Sequence, residues 1–178
     1  MASVVLLQFG SDPFSFRFED LQGRPAFTLG IVVNRILASQ YPTLVMKLTR
    51  EAPWSQQYAS IMGPSNSFFY FGPRTSPGYI VYGNNPLNLP MSHLMRQERD
   101  KSSSRYFTSQ SGNNYKWRMS NTRMECMDGR TLLASWDLSS PEDDFHARLT
   151  IKPSGLHIVT EIVTTLILNR MAQDLSWQ

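Results

Sequence analysis

The residues best suited to chemistry in this chain are cations interleaved with aromatic rings. Lys101, Arg105, Lys116, Arg118 and Arg123 fall in one stretch beside Tyr106, Phe107, Tyr115 and Trp117. A guanidinium offers planar, bidentate hydrogen bonding to phosphate, and an ammonium adds a point charge. The set therefore suits an anion, the phosphate of a lipid or of a nucleic acid. Around Ser120-Asn121 the alternation YKWRM–TRMEC reads as a β-hairpin. With a two-residue loop, Arg118 faces Arg123 and Lys116 faces Glu125, while Tyr115, Trp117, Met124 and Cys126 share the inner face. Like charges opposite one another in a ladder repel. An anion held between Arg118 and Arg123 would relieve that repulsion; so would two side chains splayed into water. The loop is neither Asn-Gly nor Asp-Gly, so turn chemistry alone does not pin the register.

Other reactive residue types are scattered. The sequence has no P-loop, no Rossmann glycine pattern after a strand, no H-E-x-x-H and no G-x-S-x-G. His93, His146 and His157 lie far apart, so a metal site would need ligands converging from separate elements. Glu142, Asp143 and Asp144 follow Pro141 in a segment that reads as a solvated turn rather than an acid–base pair. Cys126, the lone cysteine, alternates onto the same face as Met124 and reads as a buried, inert thiol. Neither catalysis, a cofactor nor a metal is expected, and no catalytic residue is nominated.

The charge is unevenly spread. Of the net +3, residues 96–130 carry eight basic and four acidic groups, whereas residues 131–178 carry three basic and six acidic. A basic middle segment suits phosphates; an ordinary solvated sheet face has the same composition. A single cysteine leaves no internal disulfide framework and fits a reducing compartment. The apolar patch Val4–Leu7 is too short for a signal-peptide core and reads as a first strand. A cytoplasmic protein is expected, one able to sit peripherally on a membrane and lacking a transmembrane segment.

The elements that must position these residues are mostly short strands. Phe14, Phe16 and Phe18 alternate with polar residues, and a turn at Gln22-Gly23 follows. AFTLGIVV, TLVMKL, QQYASIM (56–62), SFFYF, GYIVY, SRYFTS, YKWRM, RMECM, TLLASWDL and FHARLTI continue the series, separated by Gly, Pro, Asn, Ser and Asp turns. Residues 88–104 fit neither period well, and Leu94 to Lys101 has the makings of a short helix. A single domain over residues 1–178 is expected.

The run GLHIVTEIVTTLILNRM, Gly155 to Met171, differs from everything before it. Its β-branched composition favours strand, but about 16 residues without Gly or Pro exceed the usual strand length. Val159, Ile162, Val163, Leu166 and Arg170 recur at three- and four-residue steps, as on a helix. With Glu161 the only charge between Ile158 and Asn169, the helix reads as buried nearly all round. It is too short and too interrupted for a membrane span. A helix of about 24 Å suits the axis of a barrel. The expected architecture is mainly β: a closed antiparallel barrel of about twelve strands around a hydrophobic C-terminal central helix. Glu161 would then need a partner, a raised pKa, or a place at the barrel mouth.

Several passages carry a resemblance. They are Asp20-Leu21-Gln22-Gly23-Arg24-Pro25, Tyr115-Lys116-Trp117-Arg118, Asp128-Gly129-Arg130 with Ala134-Ser135-Trp136-Asp137, and Leu149-Thr150-Ile151 leading into Gly155-Leu156-His157-Ile158 and Glu161-Ile162-Val163. Over most of its length the chain resembles a fungal family of unknown function grouped with the tubby C-terminal-like folds. The resemblance implies a barrel wrapped on a central helix. Tubby-like relatives bind phosphoinositides on the barrel exterior, which makes an anionic membrane surface the expected partner, met by Lys101, Arg105, Lys116, Arg118 and Arg123. The alternatives are a self-associating or protein-interaction domain, and an RNA-binding barrel. Nucleic acid is the less favoured ligand, because alternation puts Tyr115 and Trp117 opposite Lys116 and Arg118 and so into the core.

Overall fold

Alternating segments become strands here because alternation gives each an apolar face to bury. The computed structural model describes residues 1–36 and 42–177. The first half contains β1 (Val4–Phe9), β2 (Phe16–Asp20), β3 (Pro25–Ile36), β4 (Pro42–Arg50), the one-turn helix α1 (Ala52–Ser55), β5 (Asn66–Tyr70), β6 (Tyr79–Tyr82) and β7 (Leu89–Pro90). The second contains β8 (Arg105–Thr108), β9 (Asn114–Met119), β10 (Arg123–Asp128), β11 (Thr131–Leu138), β12 (Ala147–Ile151) and the helix α2 (Val159–Asp174).

All twelve strands join one antiparallel sheet in the order β7-β6-β5-β4-β3-β2-β1-β12-β11-β10-β9-β8. Two meanders are thus joined where β1 pairs with β12, Leu6 opposite Leu149. The expected turn after β2 forms around Gly23, at a φ of +78° that suits glycine. Asp20 organises it, its Oδ1 accepting from the backbone N–H groups of Gln22 and Arg24 at 2.9 Å.

The sheet is not closed, which corrects the expectation of a closed barrel: β7 and β8 are its two edges and do not pair. β7 ends after two residues at Pro90, which has no N–H for a ladder. The chain then makes a 3-10 turn, Met91–Leu94, with Met91 and Leu94 buried. Beyond it Arg96 pairs with Tyr106 in an isolated bridge. The linking segment, not β7, lies along β8. That pairing also explains why no helix forms over 94–101.

Another expectation fails at 56–62, which is not a strand. Pro53 starts α1, and successive turns follow in which Tyr58 N–H donates to Ser55 and Ile61 N–H to Tyr58. Tyr58 and Ile61, three residues apart, pack against the core, while Met62 is exposed. Trp54 is the anchor, buried against Phe27 and Tyr58 at ring separations of 5.4 and 5.5 Å.

Helix α2 follows a 3-10 turn at Pro153–Ile158. Gly155 permits the close approach at this entry, since a Cβ there would lie 3.0 Å from the Leu133 carbonyl and 3.2 Å from Ile162. Every residue from Val159 to Asn169 is buried, as the apolar run predicts. The threonines on its polar side are buried because strands from both meanders answer them. Ser67 of β5 shares a 2.8 Å hydrogen bond with Thr164, and Arg50 of β4 donates to Thr160 at 3.1 Å. From the other half, Trp117 of β9 donates to Thr165 at 2.8 Å. β5 and β9 lie near opposite edges of the sheet, so the sheet curls around the helix.

Candidate functional site

The β9–β10 hairpin decides how its cations are arranged. Ser120 closes a longer loop than two residues: its hydroxyl accepts from Arg123 N–H at 3.0 Å and donates to the Arg123 carbonyl at 2.9 Å. Met119 therefore pairs with Met124, Arg118 with Glu125, Trp117 with Cys126 and Lys116 with Met127. The expected opposition of Arg118 and Arg123 is absent, as is that of Lys116 and Glu125. The faces are as predicted, with Tyr115, Trp117, Met124 and Cys126 all buried. Arg123 is tied up by carboxylates, bonding Asp137 and reaching Glu125 at 3.4 Å. Those two neighbours raise its pKa, the Asp137 hydrogen bond foremost.

The five nominated cations do not form one cluster. Lys116 and Arg118 share the outer face of β9, Arg118 exposed and Lys116 half-buried. Neither is in a salt bridge among the described residues. Arg105 pairs in register with the buried Trp117, so it projects to the inner side, opposite Lys116 and Arg118. It donates to the Ser102 and Ser104 carbonyls at 2.8 and 3.0 Å. Lys101 is exposed on the loop before β8, in the left-handed region at a φ of +63°.

The seam between β7 and β8 adds a residue that was not nominated, Arg96. Its guanidinium donates to the His93 carbonyl at 2.8 Å, Thr108 Oγ1 at 3.0 Å and Asn114 Oδ1 at 3.4 Å, all neutral acceptors. Only its place in the basic stretch 96–130 pointed to it. Two clefts flank it. One of about 360 Å³ is bordered by Tyr82, Leu87, Leu89, Leu94 and Gln110. The other, about 480 Å³, runs past Met95, Arg105, Met119, Ala172 and Trp177 at the C-terminal end of α2.

The sequence model of the family of unknown function DUF6593 matches residues 72–173, more than half of the chain. The protein belongs to this family. No curated protein and no solved structure matches the chain. The DUF6593 match contains both edge strands, Arg96, the five nominated cations and nearly all of α2; β1 to β5 precede it.

Glu161, the buried charge of the DUF6593 helix, is 4% exposed and has a partner. Its Oε2 accepts from the backbone N–H of Gln110 at 2.9 Å. Burial raises its pKa, the Gln110 bond opposing. The Gln110 side chain also joins the two sides of the seam by exchanging amide hydrogen bonds with Asn84, at 2.8 and 3.1 Å.

The remaining reactive groups do not assemble. Glu142, Asp143 and Asp144 stand exposed in a turn, where Asp143 Oδ2 accepts from Ser140 N–H. Cys126 is buried, which pushes its thiol well above the ordinary range. No group of three potential metal ligands occurs among the described residues. Among the described residues no helix is long and apolar enough to cross a membrane.

Proposed function

We propose that this DUF6593 protein is a non-enzymatic binding module that meets anionic phospholipid headgroups, phosphoinositides among them, on its outer surface. The observation that carries the reading is the outer face of β9. Lys116 and Arg118 stand two residues apart there, without a salt bridge among the described residues. Unpaired cations attract phosphate without first breaking an ion pair, and the attraction weakens as salt screens it. Lys101 is a further exposed cation, on the loop before β8. Arg123 is not part of the site, since Asp137 and Glu125 neutralise it.

On this reading the protein is cytoplasmic and peripheral to the membrane. An antiparallel sheet curled on one buried helix supports taking the fold as that of the resembled fungal tubby-like group, with residues 91–96 filling the gap between β7 and β8. The RNA-binding alternative finds little support, because Phe107, Tyr115 and Trp117 are buried and unavailable for base stacking.

Co-sedimentation with vesicles tests the proposal. Binding to phosphoinositide-bearing vesicles, but not to phosphatidylcholine alone, is expected, together with its loss in a Lys116→Ala/Arg118→Ala double variant. Equal binding to both vesicles, or an unaffected double variant, overturns it.

A further inference from the structure

We propose that the larger cleft at the open seam binds one single-chain amphiphile with an anionic head. The head lies against Arg105, and the chain against Met95, Met119, Ala172 and Trp177. This site is separate from the lipid-facing surface, because Arg105 projects to the side of the sheet opposite Lys116 and Arg118.

Charge complementarity selects the head. Arg105 lines the cleft from the inner side, and among the described residues no aspartate or glutamate does. Among the described residues its guanidinium bonds only neutral acceptors, the main-chain carbonyls of Ser102 and Ser104. A guanidinium has five N–H donors, so donors remain on Arg105 for a carboxylate or phosphate. The C-terminal end of a helix ordinarily repels an anion. Here its last carbonyls are already answered: Leu175 N–H donates to Met171, Trp177 N–H to Ala172 and Ser176 N–H to Gln173.

Shape and surface select the chain. The volume of about 480 Å³ lies within the roughly 300–1,000 Å³ of small-molecule sites. Two methionines supply a soft wall that adapts to an alkyl chain. Trp177 supplies a fixed one, its indole N–H held by the Thr75 carbonyl at 3.0 Å. The cleft opens where β7 and β8 do not pair, its walls drawn from the 92–97 segment, β8, β9 and the C-terminal end of α2.

Titration calorimetry on the full chain, below micelle concentration, tests the site with dodecanoate, dodecyl phosphate, dodecyl maltoside and inorganic phosphate. Trp177 fluorescence serves as a second readout, since Trp54, Trp117 and Trp136 are all buried. Dodecanoate and dodecyl phosphate are expected to bind as one molecule per chain and to shift Trp177 emission, at least about tenfold more tightly than dodecyl maltoside. Arg105→Gln should abolish that preference, Arg105→Lys should keep it, and Met119→Asp should prevent binding, with thermal unfolding confirming that each variant folds. The Lys116→Ala/Arg118→Ala variant should bind both anionic amphiphiles normally, so failure of vesicle binding and failure of this site are told apart. Equal affinity for dodecyl maltoside overturns the proposal, as does inorganic phosphate matching dodecyl phosphate, an unaffected Arg105→Gln, or no binding at all.

Discussion

The indole N–H of Trp117 donates to Thr165 Oγ1 at 2.8 Å, tying β9 to the buried helix. The same hydroxyl donates back to the Glu161 carbonyl at 2.8 Å, so one threonine serves strand and helix together. Thr165→Val leaves a buried indole N–H without an acceptor and should cost about 1–3 kcal/mol. Adding Trp117→Phe removes the orphaned donor, so the double variant should be more stable than the sum of the single losses by about 0.5 kcal/mol or more. Urea unfolding of the four proteins measures this. Strictly additive losses would show that the bond contributes nothing.

Glu161 makes stability depend on pH. Its folded-state pKa lies above the ordinary 4.5, with burial as the main cause, so the folded chain holds this proton more tightly than the unfolded chain. The stability it contributes is complete below 4.5 and is lost as pH rises through the raised folded value. Glu161→Gln keeps an oxygen for the Gln110 N–H and removes that loss. The variant's stability relative to the parent should therefore increase from about pH 4 toward neutrality. Denaturant midpoints across this range provide the measurement; a difference that falls with pH contradicts the assignment.

Arg118 and Arg123 should behave oppositely. Arg123 is itself exposed and held by two half-buried carboxylates, so Arg123→Gln should cost no more than about 1 kcal/mol and leave vesicle binding intact. Arg118→Gln should leave stability nearly unchanged and weaken vesicle binding. Thermal unfolding together with co-sedimentation separates the two, and a larger binding loss in Arg123→Gln would reverse the assignment.

Ser176 ends α2 in the left-handed region, at a φ of 54°. It occupies the position that glycine favours in this type of helix cap, with the N–H of the following Trp177 bonding back to Ala172 at 2.9 Å. Ser176→Gly relieves the backbone and should stabilise by about 0.5–1 kcal/mol. Calorimetric unfolding checks this; a destabilised variant would mean that the serine side chain contributes more than its strain costs.

Period-2 alternation in Asn114–Met119 and in residues 123–126 was enough to sort these side chains into inner and outer, because a strand's faces follow from its own backbone; the shift at Cys126/Met127, which buries both, was not foreseen. The buried α2 was equally readable, since a long run with three- and four-residue spacing and Glu161 as the one charge between Ile158 and Asn169 has no other place in a small protein. Register was not readable. It turned on the Ser120 hydroxyl, which closes the loop on Arg123 and moves Glu125, not Arg123, opposite Arg118. The partner of Glu161 was equally hidden, a backbone N–H on a loop distant in the chain.

The cleft was hidden for the same reason: Pro77, Arg105, Met119 and Trp177 come from four separated segments, and only the packing of the sheet's edges brings them together. Local periodicity decides which way a side chain points and whether a segment must be buried. What lies across from that side chain depends on loop closure and on contacts between distant segments, and those exist only once the chain has folded.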